Sequence, residues 1–231
     1  MKSVTTSLAA AVLAAASFAL ATDGSTLQRT PKVGDVAKYA VTVNVDTQEG
    51  RVTINMLDTR TVTDVQSNGD YTEEANDTGG SRVMGAQKLA VPDAKITTSY
   101  HANGQAFKIT GDGVDAKAYR IEALNDFYSP GKSVKPGEKW TFVSKADPTV
   151  GTRNVTMNYT VEAEEKVGTH DTYRISYTGT EDGDSPGSVS GKVWVDVASG
   201  EIVKADLALK SAPIPQADAP YDLTVSVLRQ D

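Results

Sequence analysis

The chain has no cysteine among its 231 residues. Thiol nucleophiles, iron–sulfur clusters and thiolate zinc sites are excluded, and no disulfide can staple the fold, so an apolar core must hold it. Histidine, the usual general base and metal ligand, occurs only twice. His101 and His170 belong to no ligand spacing such as HxxxH, and both are expected as surface turn residues. No GxSxG elbow is present, and no glycine-rich loop leads from a strand into a helix in the phosphate-binding pattern. Aromatic residues are 6% of the chain and fall mostly at core positions, which leaves few to line a sugar cleft.

Basic residues are outnumbered, 23 against 30 acidic. An acidic surface repels nucleic-acid phosphates and anionic headgroups, and no cluster of Lys and Arg interleaved with aromatics offsets it. Nucleic-acid binding is not expected.

Only one long apolar run exists, and it is at the start. MKSVTTSLAAAVLAAASFALA has a single charge at Lys2, an apolar stretch from Leu8 to Leu20 and a small-x-small end at Ala19-Leu20-Ala21. This is the layout of a secretory signal peptide over residues 1–21, too short for the ~18–20 residues a membrane span needs. The mature chain is expected to begin near Thr22, with no membrane-spanning segment, in the periplasm or outside the cell. No cysteine follows the cleavage position, so no lipid anchor can form there.

From Thr22 onward the sequence alternates. Val155, Met157, Tyr159, Val161, Ala163 and Val167 share one parity, while Thr156, Asn158, Thr160, Glu162, Glu164 and Lys166 share the other. One apolar and one solvated face is the mark of an antiparallel sheet. Asn68-Gly69, Asn103-Gly104 and Ser199-Gly200 supply residues that tolerate positive φ, and predict hairpins over 52–76, 95–111 and 190–209. A last strand is predicted at 221–229, after the proline-rich loop APIPQADAP at 212–220.

Two phrases resemble each other: PKVGDVAKY at 31–39 and VKPGEKWTF at 134–142. Aligning Gly34-Asp35 with Gly137-Glu138 brings VTINM at 52–56 opposite VTMNY at 155–159. The same alignment sets the turn before Tyr71 against the turn before Tyr173. With a small shift, 96–109 matches 192–205. The repeated offset predicts one domain, 22–231, built of two similar halves at about 31–111 and 134–209. Each half holds a leading strand, a long hairpin and a second hairpin. Tyr39 and Trp140 stand an odd number of residues after their glycines, so both rings should face the core. Between the halves, DAKAYRIEALNDFY at 115–128 predicts the one helix, with Asp115 as its N-cap and Ser129-Pro130-Gly131 as its stop.

Acidic loops are the remaining chemical candidates. Asp112 and Asp115, and Glu181, Asp182 and Asp184, offer oxygens of the kind Ca²⁺ takes, but the calcium-loop pattern is missing and solvated loops are expected. No catalytic, cofactor-binding or metal-binding residue is assigned.

The phrase formed by Pro130, Val134, Gly137, Glu138 and Trp140, and a later one formed by Gly191, Trp194, Asp196, Ser199 and Gly200, resemble those of bacterial exported envelope β-proteins. These proteins include the half-barrel lipoprotein-carrier class. The resemblance implies a mainly β fold, a curved antiparallel sheet or half-barrel of ten to twelve strands, with the helix on its concave side. It also implies a lipid or other apolar ligand held in that concavity. Three functions stay open: a non-catalytic carrier with an apolar cavity, a structural or protein-interaction module of the envelope with a filled core, and a hydrolase using loop carboxylates.

Overall fold

The computed structural model describes residues 24–231, so the signal-peptide assignment to 1–21 lies outside the described residues. Twelve strands form one antiparallel sheet. The first half of the chain supplies β1 (Val36–Thr47), β2 (Gly50–Val65), β3 (Tyr71–Met84), the short β4 (Gln87–Ala90), β5 (Ala94–Tyr100) and β6 (Ala106–Gly111). Helix α1 (Ala116–Asn125) follows. The rest comprises β7 (Lys139–Ser144), β8 (Val155–Val167), β9 (His170–Glu181), β10 (Ser188–Asp196), β11 (Ile202–Ala212) and β12 (Tyr221–Gln230). The three hairpins and the last strand expected from turn residues and alternation are present. Strand β4, which pairs only with β3, has no counterpart among those expectations. Among the described residues no helix is long and apolar enough to cross a membrane.

Neighbours in the sheet run β6-β5-β3-β2-β1-β12-β11-β10-β9-β8-β7, and β6 and β7 leave it unclosed. The sheet is nevertheless strongly curved. Tyr119 of α1 both accepts from the Ile109 N–H and donates to the Ile109 carbonyl on β6, at 3.0 Å each, while Arg120, the next residue, pairs with Glu181 of β9. In a flat sheet β6 and β9 would lie eight strand spacings apart, roughly 38 Å. A helix of ten residues, about 15 Å long, reaches both only because the sheet wraps around it.

Two five-stranded meanders make up this surface, β1-β2-β3-β5-β6 and β7-β8-β9-β10-β11, with β12 joining them. Their launching turns are built alike. Gly34 N–H donates to the Val62 carbonyl at 2.9 Å and Gly137 N–H to the Val161 carbonyl at 2.8 Å. The following acid then reaches back, Asp35 to the Lys32 N–H at 2.8 Å and Glu138 to the Lys135 N–H at 2.9 Å. Both glycines have φ near +90°, where a side chain would be strained. Register irregularities also recur at matching places, at Val62/Asp64 and Val161/Ala163, and again at Ser99/Tyr100 and Trp194/Val195.

This register corrects the sequence alignment. Counting from the turns, Ala37 matches Trp140 and Tyr39 matches Phe142. Across the hairpin, Arg60 matches Tyr159 and Met56 matches Val155, so VTINM is four residues out of step with VTMNY. The β1–β2 hairpin is longer than β7–β8, and the shared Val-Thr-x-Asn letters fall in the extra length. Tyr39 and Trp140 do face the concave side, as expected, but they are not equivalent to each other.

Helix α1 is shorter than predicted. Asp115 caps it, accepting from the Lys117 and Ala118 N–H groups at 2.8 and 3.3 Å, but the helix ends at Asn125 rather than Tyr128. At Asp126 the backbone turns extended, because Phe127 and Tyr128 leave the helix to fill the concave core. Tyr128 is fully buried and stacks on Phe142 with centroids 4.2 Å apart, while its carbonyl accepts from the Trp140 indole at 3.1 Å. On its other side this segment lies against the β5–β6 turn, where a β-carbon at Gly104 would stand 2.4 Å from the Phe127 carbonyl oxygen. The concave side of β8 to β11 is thereby filled.

Candidate functional site on the concave face

Of the acids singled out in the sequence, four make structural contacts, while Asp184 is exposed in its loop. Asp115 caps α1 and also accepts from the Gln216 N–H at 2.8 Å. Asp112 accepts from the Lys95 N–H and Asp182 from the Asn154 amide. Glu181 is not a loop acid at all. It closes β9, 3% exposed, in a bidentate pair with Arg120 at 2.8 and 2.5 Å. Among the described residues no three His, Asp or Glu side chains converge as a metal site.

Of the two histidines expected as surface turn residues, His101 is exposed at its turn and His170 is partly buried at the start of β9. His101 stacks on Phe107 and meets Asp70 at 3.2 Å. His170 opens β9 between Asp196 at 2.9 Å and Asp231 at 3.1 Å. Those carboxylates, Asp231 first, outweigh partial burial and raise its pKa, so its stabilising share is present at acidic pH and fades as pH rises through the folded value. Ser199 donates to Asp196 at 3.0 Å. The carboxylate therefore stands between the histidine and the serine, and His170 is not placed to deprotonate the hydroxyl.

The informative residues are ones the sequence did not mark, and they emerge from comparing the two halves. Where β8 and β9 place Met157, Tyr159, Ile175 and Gly179 in the core, the matching positions of β2 and β3 hold Asp58, Arg60, Glu73 and Asp77. Four charged side chains thus occupy concave positions that are apolar or glycine in the other half. Arg60 donates to Asp58 at 2.7 Å and lies over the Tyr39 ring. Arg29, from the segment that precedes β1, pairs with Glu73 at 2.7 Å and Glu201 at 3.1 Å and covers the Tyr71 ring.

Arg29, Tyr39, Arg60, Tyr71 and Glu73, with Tyr100, Asp126 and Phe127, line a cavity of about 80 Å³. At ~30 Å³ per molecule it has room for a few waters, and it falls far short of the ~300 Å³ at which small-ligand pockets begin. Arg60 lines this space, with its side chain 41% exposed. A sugar ring does not fit, so the cavity does not favour the hydrolase reading.

Burial, then the charge of Glu122, drives the Asp126 carboxyl well above its ordinary pKa. Glu122 is one helical turn earlier and accepts from the Tyr100 hydroxyl at 2.8 Å. Because its pKa is raised, the folded state binds this proton more tightly than the unfolded chain, and stability falls as pH rises from the unfolded value toward the folded one. Asp126→Asn keeps the shape and removes the titration. Its urea midpoint is expected to gain on the native chain steadily between pH 5 and pH 8; parallel curves would show that Asp126 is ionised in the fold.

Above the charged zone the concave face is apolar and only half covered. Val43 and Val45 of β1 face Ile54 and Val52 of β2 across the sheet, and Val225 and Val227 of β12 flank them. All six are half-buried, whereas Val155, Val161, Val189 and Val193 on the same face of the other half are at most 3% exposed. The difference follows from where α1 lies, against β6, β9 and β10. At its upper end the strip meets an open depression of about 770 Å³ between the β1–β2 turn and the loop before β12.

No protein-family model matches this sequence, and no curated protein matches it. The site therefore rests on its own geometry: an apolar strip in the extra length of one hairpin, ending on charged residues that replace core.

Proposed function

We propose that this is an exported, non-catalytic binding protein that holds an apolar chain against the uncovered strip of its concave face. One observation supports the reading above the rest. Val43, Val45, Val52, Ile54, Val225 and Val227 share the core face of a curved sheet, yet none of the described residues covers them fully. Burying the remaining apolar surface of several such side chains contributes about 25 cal/mol per Å², enough to retain a hydrocarbon chain. The filled half supplies rigidity, and the longer hairpin supplies the surface.

The test is uptake. Native mass spectrometry of the protein taken gently from its own envelope or medium is expected to show an added mass of a few hundred daltons, released by organic solvent. In vitro, 1-dodecanol should displace an apolar fluorophore from the strip. The cross-strand pair Val43→Ser with Ile54→Ser should weaken that displacement about tenfold by removing apolar contact area. A bare mass together with no uptake of any alkyl probe would sink the reading in favour of an envelope interaction module.

A further inference from the structure

We infer that the strip takes a single-chain amphiphile with a primary ammonium head, which Asp58 and Asp77 hold at the strip's lower end. The inference rests on the strip being a ligand site, and adds the chemistry of the head group.

Asp58 and Asp77 are direct cross-strand partners of β2 and β3 on the concave face. Like charges so placed destabilise a sheet, and their counterparts, Met157 and Gly179, carry no charge. A sheet that keeps two acids there needs a compensating cation. Among the described residues Arg60 is the only basic side chain facing the pair, and it bonds a single oxygen, Oδ2 of Asp58. The other oxygen, Oδ1, is buried and has no hydrogen-bond partner, although the Asp58 side chain is only 7% exposed.

The remaining neighbours supply no second cation. Tyr39 lies opposite Asp58 on β1, Ala94 lies opposite Asp77 on β5, and Glu73, further along β3, is engaged by Arg29. Burial, with Asp58 behind it, raises Asp77 to about 6. Above that pH Asp77 carries a negative charge of its own beside Asp58, with Arg60 already bonded to Asp58. Asp77 is half-buried, so an arriving head group meets it first, with the charge of Asp58 behind.

The geometry also sets the direction of the chain. From Asp58 to Val52 is six residues, about 20 Å at ~3.3 Å per residue, and Met56, Ile54 and Val52 are the concave side chains along the way. A tail anchored at the acids therefore runs up the strip toward the open depression. Of the basic residues beside the strip, Arg82 lies opposite Ile54 and is exposed, so its charge is already solvated, and Arg229, beyond Val227 on β12, is engaged by Glu201. An anionic head thus meets a basic group that is either solvated or already paired.

Three probes with the same chain separate head from tail: dodecylammonium, 1-dodecanol and dodecyl sulfate, each below its self-association concentration, titrated calorimetrically into the exported chain at pH 7.5. The ammonium is expected to bind about tenfold tighter than the alcohol, the scale of one charge-assisted hydrogen bond, with the sulfate weakest. Asp77→Asn should abolish the ammonium preference and leave the alcohol affinity unchanged. Lowering the pH to 5 should reduce the preference in the native chain and have no such effect in the variant. Because the substitution removes like-charge repulsion, its urea midpoint should equal or exceed that of the native chain. Equal affinities for the three probes, or a preference that survives Asp77→Asn, would overturn the head assignment while leaving the strip as a binding site. Failure of all three to bind would overturn both.

Discussion

Arg120→Ala is expected to destabilise the fold by about 3–5 kcal/mol, the cost of leaving a buried carboxylate without its partner. Glu181 has 0% side-chain exposure, and Arg120 meets both its oxygens. Without the guanidinium, Oε2 keeps one backbone donor, the Gly187 N–H at 2.9 Å. Arg153 stands 4.0 Å away and is too far to hydrogen-bond. Urea denaturation followed by tryptophan fluorescence measures the effect. Arg120→Met combined with Glu181→Gln should recover most of the loss, since the amide needs no counter-charge and can still accept from Gly187. A loss below about 1 kcal/mol for Arg120→Ala would mean that Arg153 has moved in. The pair also ties α1 to β9, so its removal should loosen the helix that decides how much of the concave face is open.

Tyr128→Ala should be comparably damaging, about 3–5 kcal/mol, because it empties a large aromatic site in a packed core. The ring is fully buried on Phe142, and the hydroxyl donates to the Ala123 carbonyl at 3.0 Å. Its backbone is held as well: the N–H donates to the Tyr159 hydroxyl at 3.3 Å, and that hydroxyl donates to the Asp126 carbonyl at 3.3 Å. Tyr128→Phe removes only the hydroxyl contact and should cost about 1 kcal/mol. The near-ultraviolet signal of Trp140, whose indole donates to the Tyr128 carbonyl, reports whether the segment still seats. Equal losses for Ala and Phe would place the anchor in the hydroxyl rather than the ring.

The helix shows how local and tertiary preferences compete. Asp115 was readable as an N-cap because capping is a local exchange of hydrogen bonds. The end was misread because Tyr128 falls at helical spacing from Leu124, while the stop comes from what Phe127 and Tyr128 pack against. Among the acids the same limit applies. Glu181 stands in a run of loop-forming residues, and only Arg120, 61 positions earlier, makes it a buried one.

Alternation and turn chemistry by themselves determined the antiparallel sheet, its hairpins, its last strand and the two launching turns, because each depends on residues a few positions apart. Tertiary structure alone decided the site. Arg29, Asp58 and the β3 acids Glu73 and Asp77 come from three separate segments, and the meaning of the acids appears only when hydrogen-bond register sets them against Met157, Ile175 and Gly179. Local letters even misled here, since Val-Thr-x-Asn recurs four residues out of register. Which valines stay uncovered was likewise beyond sequence: parity places Val43 and Val193 on the same face, but only the path of α1 buries one and leaves the other open.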